Sequence, residues 1–261
     1  MLLPKLYYYR KNNTHIKNLV NKLKSFSFLP QNAEEEKFVL TAMKRTTFFH
    51  RLLLSLTYPT IVMWSISAYI GHKDNSEKQF LIPANFPFDI KVPSLYYFAL
   101  FYQTIAIFYT GTTHMTTDTM ATGLIFHAAS QVEILGSRIS KIGYFAGQEE
   151  LQDKMTPKLK MYLNKKFYND LIAQIKHHKE IIEFCKEIQD AFKEALFVQL
   201  ITTCFILCMT ELQMVVLLQQ SLILFANSLP YFIILALQIY LLCYCGNELT
   251  YAVTFFYCVT E

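Results

Sequence analysis

The chain has 261 residues, of which 53% are hydrophobic and only 17% are charged, and its formal net charge is +4. A soluble globular domain carries about 25% charged residues, so this composition excludes an ordinary water-soluble domain. The distribution of charge along the chain then indicates which segments cross a membrane.

Four stretches contain no Asp, Glu, Lys or Arg. They are residues 52–72, 92–117, 195–210 and 212–247. A helix that crosses about 30 Å of hydrocarbon needs about 20 mostly apolar residues. The first two stretches each supply one crossing, and the last two, joined across Glu211, supply two more. We therefore predict an all-α fold, a polytopic bundle of four transmembrane helices with cytoplasmic helical extensions.

The basic residues predict the orientation of this bundle. Residues 1–51 carry ten Lys or Arg against three acidic residues, and residues 138–194 carry eleven against nine. Residues 71–93 carry three of each sign. Basic residues collect on the cytoplasmic side of membrane proteins. We therefore expect both termini in the cytoplasm of a plasma-membrane protein and residues 71–93 outside.

The segments can be placed in chain order. We expect a basic cytoplasmic segment (1–41), a transmembrane helix (42–70), an extracellular loop (71–92), a transmembrane helix with a cytoplasmic extension (93–142), a cytoplasmic loop (143–157), a cytoplasmic amphipathic helix that continues into a transmembrane helix (158–225), and a last transmembrane helix (229–258). Pro59 is expected to kink the first of these helices, because proline removes a backbone hydrogen bond. A short turn at Asn227, Ser228, Leu229 and Pro230 is expected to make the last two helices an antiparallel pair.

Signatures of catalysis are absent from the sequence. There is no Gly-rich phosphate loop, no HExxH and no GxSxG. The adjacent His177 and His178 point about 100° apart on a helix, so a solvated cytoplasmic face is favoured there over a metal site. We expect no enzyme, no catalytic residue, no metal, no cofactor and no nucleic-acid partner.

Two acidic residues interrupt otherwise apolar helices. Charged groups inside a membrane are costly and are usually functional or paired. Glu211 predicts either a polar cavity or subunit contact, or a pairing with Gln213, Gln219 or a hydroxyl of a neighbouring helix. Asp118 lies about 36 Å along its helix by helical rise, so we expect it at the cytoplasmic interface, where a carboxylate costs little.

The outer halves of the first two helices are aromatic. Such side chains form belts at the membrane interface, or they line a small apolar pocket between helices, and the sequence leaves both interpretations open. If a pocket is present, Trp64, Tyr97, Phe101 and Thr104 are the expected ligand contacts. Tyr97, Phe101 and Thr104 share a helical face.

Several motifs of the chain resemble those of insect odorant receptors. Residues 81–89 resemble a proline-rich extracellular loop of that family, and residues 244–249 (YCGNEL) resemble the YCxGNxL end of its sixth helix. The residues that carry the resemblance are Pro83, Pro87, Phe88 and Asp89 in the loop, Asp118, His127, Gln131 and Leu135 in the D…H…Q…L pattern beyond it, and Gly246 and Asn247 near the end of the chain.

This resemblance implies a function and a set of partners. Members of the family have seven helices, so the chain is expected to be a fragment that covers helices three to six and does not function alone. The resemblance implies a ligand-gated cation channel subunit in olfactory neurons, which binds small volatile ligands and forms a hetero-tetramer with a co-receptor. A gustatory receptor, which shares the topology, remains an alternative. A complete four-helix membrane scaffold or transporter subunit is another, although transporters show repeats and broken helices that are not visible in this sequence.

Overall fold

The computed structural model describes residues 2–74, 80–82, 84–88, 92–146 and 157–260. Within these ranges all regular structure is helical, so the all-α prediction is confirmed. The helices are α1 (Leu2–Lys11), α2 (Asn13–Lys22), α3 (Ala33–Asp74), α4 (Pro93–Ala146), α5 (Pro157–Gln220) and α6 (Leu222–Thr260), with a 3-10 turn at Phe26–Phe28.

Three helices are long and apolar enough to cross a membrane. They contain the candidate spans Ala33–Tyr69, Met161–Gln220 and Leu222–Cys258. In the part of the chain that the structure describes, α4 is not among them, although residues 92–117 carry no Asp, Glu, Lys or Arg. The many Thr and Tyr side chains of α4 lower its mean hydropathy. Its crossing of the membrane stays a prediction.

The junction between the last two long helices lies at Ser221. The predicted turn at Asn227–Pro230 is wrong, because these residues lie inside α6. Asn and Pro are typical of turns, but the Asn227 side chain donates a hydrogen bond to Ser67 Oγ at 3.2 Å rather than to its own backbone. The N–H of Phe225 donates to the carbonyl oxygen of Ser221 at 3.1 Å, so the helical hydrogen bonds resume at once after the junction.

The helix α3 begins at Ala33, inside the segment expected to precede the first span. Glu35 stabilises this start. Its carboxylate accepts a hydrogen bond from the N–H of Gln31 at 2.8 Å, and a carboxylate in the first turn of a helix also complements the helix dipole. The start of α3 is therefore explained by local chemistry that the hydropathy pattern does not contain.

The chain folds as two compact units. The first is built mainly from Phe48–Met120 and Phe197–Leu241. In this unit α3 and α4 approach closely at Gly111, where an added Cβ would lie 3.3 Å from Thr57 Cγ2. Nearby, the rings of Tyr58 and Phe108 stack with centroids 4.6 Å apart.

The second unit comprises Lys5–Thr47, Ala121–Leu196 and Leu242–Glu261. One apolar cluster of its core consists of Ala129, Val132, Leu135, Ile181, Ala252 and Phe256. Arg138 donates to the carboxylate of Glu35 at 2.7 Å, and both side chains are largely buried. A buried pair of this kind fixes the helices that carry it, because neither charge can be left alone at low cost.

Candidate functional site

A cavity of about 470 Å³ lies within the first unit, among α3, α4, α5, α6 and the loop residue Ile82. Most of its wall is apolar. The apolar part includes Ile61, Ala106, Ile107, Met115, Ile206, Ile234 and Leu235, and the polar or aromatic part consists of Thr57, Thr60, Trp64, Tyr102, Gln103, Thr110, His114, Tyr231 and Gln238. Pockets for small molecules measure about 300–1,000 Å³ and combine apolar walls with a few polar groups. The cavity has this size and character.

Trp64 forms part of the wall from α3. Its indole N–H donates to the backbone oxygen of Asn227 at 3.0 Å, and its ring lies 5.3 Å from the ring of Tyr231. Both partners belong to α6, so the indole is fixed in position by a neighbouring helix. Trp64 is also the only tryptophan of the chain, which makes its fluorescence a reporter of the cavity.

Gln103 holds the loop residue Ile82 in the wall. The Gln103 side chain is buried, its Nε2 donates to Ile82 O at 2.8 Å, and its Oε1 accepts from the N–H of Ile82 at 3.4 Å. An amide that pairs with both backbone groups of one residue fixes that residue against the helix. This position was not predicted from the sequence.

A buried polar cluster forms another part of the wall. His114 Nδ1 lies 3.2 Å from Asp118 Oδ2, and Gln238 Nε2 lies 3.3 Å from the same nitrogen and 3.2 Å from Met115 Sδ. His114 Nδ1 donates to the carboxylate when it carries a proton and accepts from Gln238 when it does not. Polar groups are costly in an apolar environment unless they are hydrogen-bonded, so these side chains determine each other's arrangement.

The position of Asp118 at the cytoplasmic interface stays a prediction, but its carboxylate is buried within the protein. Asp118 is only 6% exposed and pairs with His114 one helical turn earlier. Residues four apart lie on the same helix face. Helical rise gives the depth of a residue but not its direction, which is why the count of residues did not predict this burial.

The expected ligand contacts are distributed unequally. Trp64 lines the cavity, whereas Tyr97, Phe101 and Thr104 lie outside its lining. Tyr97 and Phe101 are 44% and 64% exposed. Thr104 lies 3.2 Å from Ser65 Oγ. Glu211, which interrupts an otherwise apolar helix, does not line the cavity either. Its side chain is exposed on α5.

The motif residues fall in several environments. Pro83 and Asp89 lie outside the described residues. Pro87 is exposed, and the ring of Phe88 lies 5.2 Å from that of Phe86.

The remaining motif residues belong to the second unit. Gln131 is buried there and donates to Phe28 O at 3.1 Å, and Leu135 lies in the core. His127 is half-buried, and Gly246 and Asn247 are exposed.

Metal binding finds no support in the described residues, which contain no group of three His, Cys, Asp or Glu side chains able to hold an ion. The expected solvated face is wrong for His177, which is 4% exposed and packs edge-on against Phe28 at 5.6 Å. The neighbouring ring of His178 contacts a different partner, Phe256, at 5.3 Å. The two imidazoles therefore pack against different aromatic rings, as adjacent positions on a helix require.

The second unit contains a smaller cavity of about 320 Å³. It is lined mainly by apolar side chains, among them Val132, Ile181, Leu249 and Phe256. Trp64 and the larger cavity belong to the first unit. An experiment that locates a bound ligand can therefore distinguish binding in that cavity from binding in this smaller one.

Comparisons with known proteins agree with the resemblance noted in the sequence. The family model described as 7tm Odorant receptor matches residues 1–255. Odorant receptor Or1 of Anopheles gambiae is 30% identical over 265 residues, which cover 96% of this chain and 61% of that protein. Odorant receptor 46a, isoform A, of Drosophila melanogaster is 23% identical over 251 residues, covering 94% of this chain and 60% of that protein.

Solved structures show the same fold. The insect olfactory receptor OR5 from Machilis hrabei matches with a TM-score of 0.74 at 17% identity, covering 96% of this chain and 60% of that one. The structure of OR5 in complex with eugenol matches with a TM-score of 0.72 at 16% identity, covering 93% and 58%. The chain thus spans about 60% of the length of the relatives that it matches.

Proposed function

Because the chain belongs to the 7tm odorant receptor family, we propose that it binds small volatile odorants in the cavity lined by Trp64 and contributes to a ligand-gated cation channel. The chain is a membrane protein of a receptor family rather than an enzyme. A ligand acts on such a channel by binding its open arrangement more tightly than its closed one.

The observation that carries the proposal is the cavity itself. Its volume of about 470 Å³ and its apolar wall with a few buried polar groups suit a small, mostly hydrocarbon molecule. OR5 was solved in complex with eugenol, and we extend the binding of a small odorant to this chain. Trp64 is retained among the proposed contacts, and Ile107, Tyr231 and Leu235 join it from the wall.

The partners and the orientation are also part of the proposal. The chain acts in a hetero-tetramer with a co-receptor in the plasma membrane of olfactory neurons. Both termini lie in the cytoplasm, and α4 crosses the bilayer with the three more apolar helices. The excess of basic residues in 1–51 supports this orientation.

Glycosylation tests the orientation. The sequon Asn12-Asn13-Thr14 should stay unmodified in insect cells. The substitution Glu77→Thr creates a sequon at Asn75, in the segment of the sequence between α3 and α4, and this sequon should be glycosylated. Glycosidase-sensitive mass at Asn12, or its absence in the Glu77→Thr variant, would contradict the orientation.

Fluorescence of Trp64 tests ligand binding. We expect 1-octanol to change the emission of the purified chain in lipid nanodiscs, with saturation. Ala106→Phe fills part of the cavity and should weaken this response at least about tenfold, because overpacking excludes the ligand. Ile105→Phe is the matched control, since Ile105 is exposed and outside the lining. A response that does not saturate, or one that both variants leave unchanged, would contradict binding in this cavity.

A further inference from the structure

We propose that the cavity prefers ligands that carry a hydroxyl group, and that the ligand O–H is donated to Oε1 of Gln238. The chemical class is a small amphiphilic alcohol, with one hydroxyl on a hydrocarbon body. This inference rests on the proposed binding of odorants in the same cavity and names the chemistry that the cavity selects.

Gln238 is a buried polar residue in apolar surroundings. It lies in the stretch 212–247, which contains no Asp, Glu, Lys or Arg, and it is only 5% exposed. Its Oε1 has no hydrogen-bond partner among the described residues, although the side chain belongs to the cavity wall. A buried carbonyl oxygen without a partner is costly. A ligand that donates a hydrogen bond there recovers this cost, and a ligand without a donor does not.

The other end of the same amide is already engaged. Nε2 lies 3.3 Å from His114 Nδ1 and 3.2 Å from Met115 Sδ. When His114 Nδ1 carries no proton and accepts from Nε2, these contacts orient the amide so that its oxygen, an acceptor, is the group left for a ligand. Oε1 has almost no accessible surface, so the amide rotates about its terminal torsion, which is broad for glutamine, to present this oxygen to a bound hydroxyl.

Other polar side chains of the wall are occupied within the protein. Gln103 pairs with both backbone groups of Ile82, and the indole N–H of Trp64 donates to Asn227 O. Thr57 and Thr60 donate their hydroxyl protons to carbonyl oxygens of their own helix at 2.7 Å. Their donors are therefore satisfied, and none of them presents an amide acceptor in need of a proton. Of the two side-chain amides in this wall, Gln103 and Gln238, the difference singles out Gln238.

The apolar part of the wall contacts the hydrocarbon body of the ligand. Ile61, Ile107, Ile234 and Leu235 offer only hydrocarbon surface. An ether with the same number of heavy atoms fills this space equally well, but its oxygen can only accept a hydrogen bond. It would face the oxygen of Gln238 without a proton between them. The alcohol should therefore bind more tightly than its ether isostere.

The test compares isosteric ligands on the native chain in nanodiscs. The probes are 1-octanol, 1-methoxyheptane and nonane, and the readout is the emission of Trp64. Each concentration is the amount of probe in the membrane per lipid, so that differences in membrane partitioning do not enter the comparison. We expect 1-octanol to bind about three- to tenfold more tightly than 1-methoxyheptane, the range of one net hydrogen bond. Gln238→Met, which keeps the length but removes the amide, should abolish this preference. Gln219→Met on α5, at an exposed position outside the lining, should preserve it.

The outcomes separate the two proposals. Equal binding of 1-octanol and 1-methoxyheptane by the native chain overturns the preference for a hydroxyl and leaves odorant binding standing. A preference that persists in a folded Gln238→Met variant overturns the role of Gln238. No saturable response to any of the three probes overturns both proposals. The comparison on the native chain decides the preference for a hydroxyl even if the variant fails to fold.

Discussion

Gln103 and Ile82 are joined by two hydrogen bonds, one from the side-chain amide to the Ile82 carbonyl oxygen at 2.8 Å and one from the Ile82 N–H to the amide oxygen at 3.4 Å. Gln103 lies on α4, and Ile82 lies in the loop that precedes this helix. Both residues line the cavity. The two hydrogen bonds therefore hold Ile82 in the cavity wall.

Removal of that amide should loosen the wall. Gln103→Leu keeps the bulk but loses both hydrogen bonds and leaves the backbone of Ile82 without its partner. We expect about three- to tenfold weaker binding of 1-octanol and faster dissociation, which corresponds to a loss of about 0.7–1.4 kcal/mol, the net contribution of one hydrogen bond. Stopped-flow recording of Trp64 emission measures both quantities. Gln219→Leu on the exposed face of α5 is the control, and equal dissociation rates in the two variants would show that the loop does not gate the cavity.

A second prediction concerns the close helix contact at Gly123. An added Cβ would lie 2.8 Å from Thr46 Cγ2, and Thr46 is held in place by a hydrogen bond from its hydroxyl to Ala42 O. Gly123→Ala should therefore lower the free energy of unfolding by about 1–3 kcal/mol. At Gly246 an added Cβ meets nothing within 4 Å, so Gly246→Ala should raise it by about 0.5–1 kcal/mol through helix propensity.

Thermal unfolding in detergent measures the change in stability that each glycine substitution causes. Thr46→Ala removes the colliding methyl group, so adding it to Gly123→Ala should recover part of the lost stability. A Gly123→Ala variant that is as stable as Gly246→Ala would mean that these helices do not approach so closely.

The ion pair between Arg138 and Glu35 supports a third prediction. Arg138→Met leaves the carboxylate of Glu35, whose side chain is 1% exposed, without its charged partner. Breaking a buried pair costs about 3–5 kcal/mol. Lys141→Met removes the exposed pair with Glu34 and should cost about 0–1 kcal/mol. Chemical denaturation of the two variants checks the contrast, and equal losses would contradict the burial of Glu35.

A fourth prediction concerns the dependence of stability on pH. Burial lowers the pKa of Lys5 in α1 from 10.5 to about 7. The unfolded chain therefore binds a proton at Lys5 that the folded chain lacks between about pH 7 and 10.5, so this lysine destabilises the fold increasingly as pH falls through that window. Lys5→Met should raise the melting temperature at pH 7 more than at pH 10. Lys17→Met, at an exposed position of α2, should show no such difference. A pH-independent effect of Lys5→Met would argue against the lowered pKa.

The charge-free stretches predicted the helical fold and the family motifs predicted the family, because both depend on local composition and order. The junction at Ser221 was not predicted. Asn227 and Pro230 have the chemistry of a turn, and only the contact of Asn227 with Ser67 shows why the helix continues. Hydropathy also favoured four spans, although the threonines and tyrosines of α4 leave three by length and composition.

The candidate site was predicted only in part. Trp64, which lines the cavity, was singled out because an aromatic residue in an outer half is visible in the sequence, and its contact with a ligand stays a prediction. Gln103 and Gln238 were missed, since their importance depends on partners that lie far away in the chain. The sequence feature that could have indicated them is a side-chain amide within a charge-free stretch. The exposed Gln219 has the same feature, so the sequence does not distinguish it from Gln238. Burial, which distinguishes these residues, is a property of tertiary packing.

Photolabelling is the most direct test of the claim that the cavity of the first unit binds the odorant. A volatile aliphatic alcohol that carries a diazirine would be irradiated with the chain in nanodiscs, and the labelled peptides would be identified by mass spectrometry. We expect adducts in residues 57–64, 102–115 and 231–238 that excess 1-octanol suppresses. Adducts confined to residues 249–257, which contribute to the smaller cavity of the second unit, or adducts that 1-octanol leaves unchanged, would contradict it.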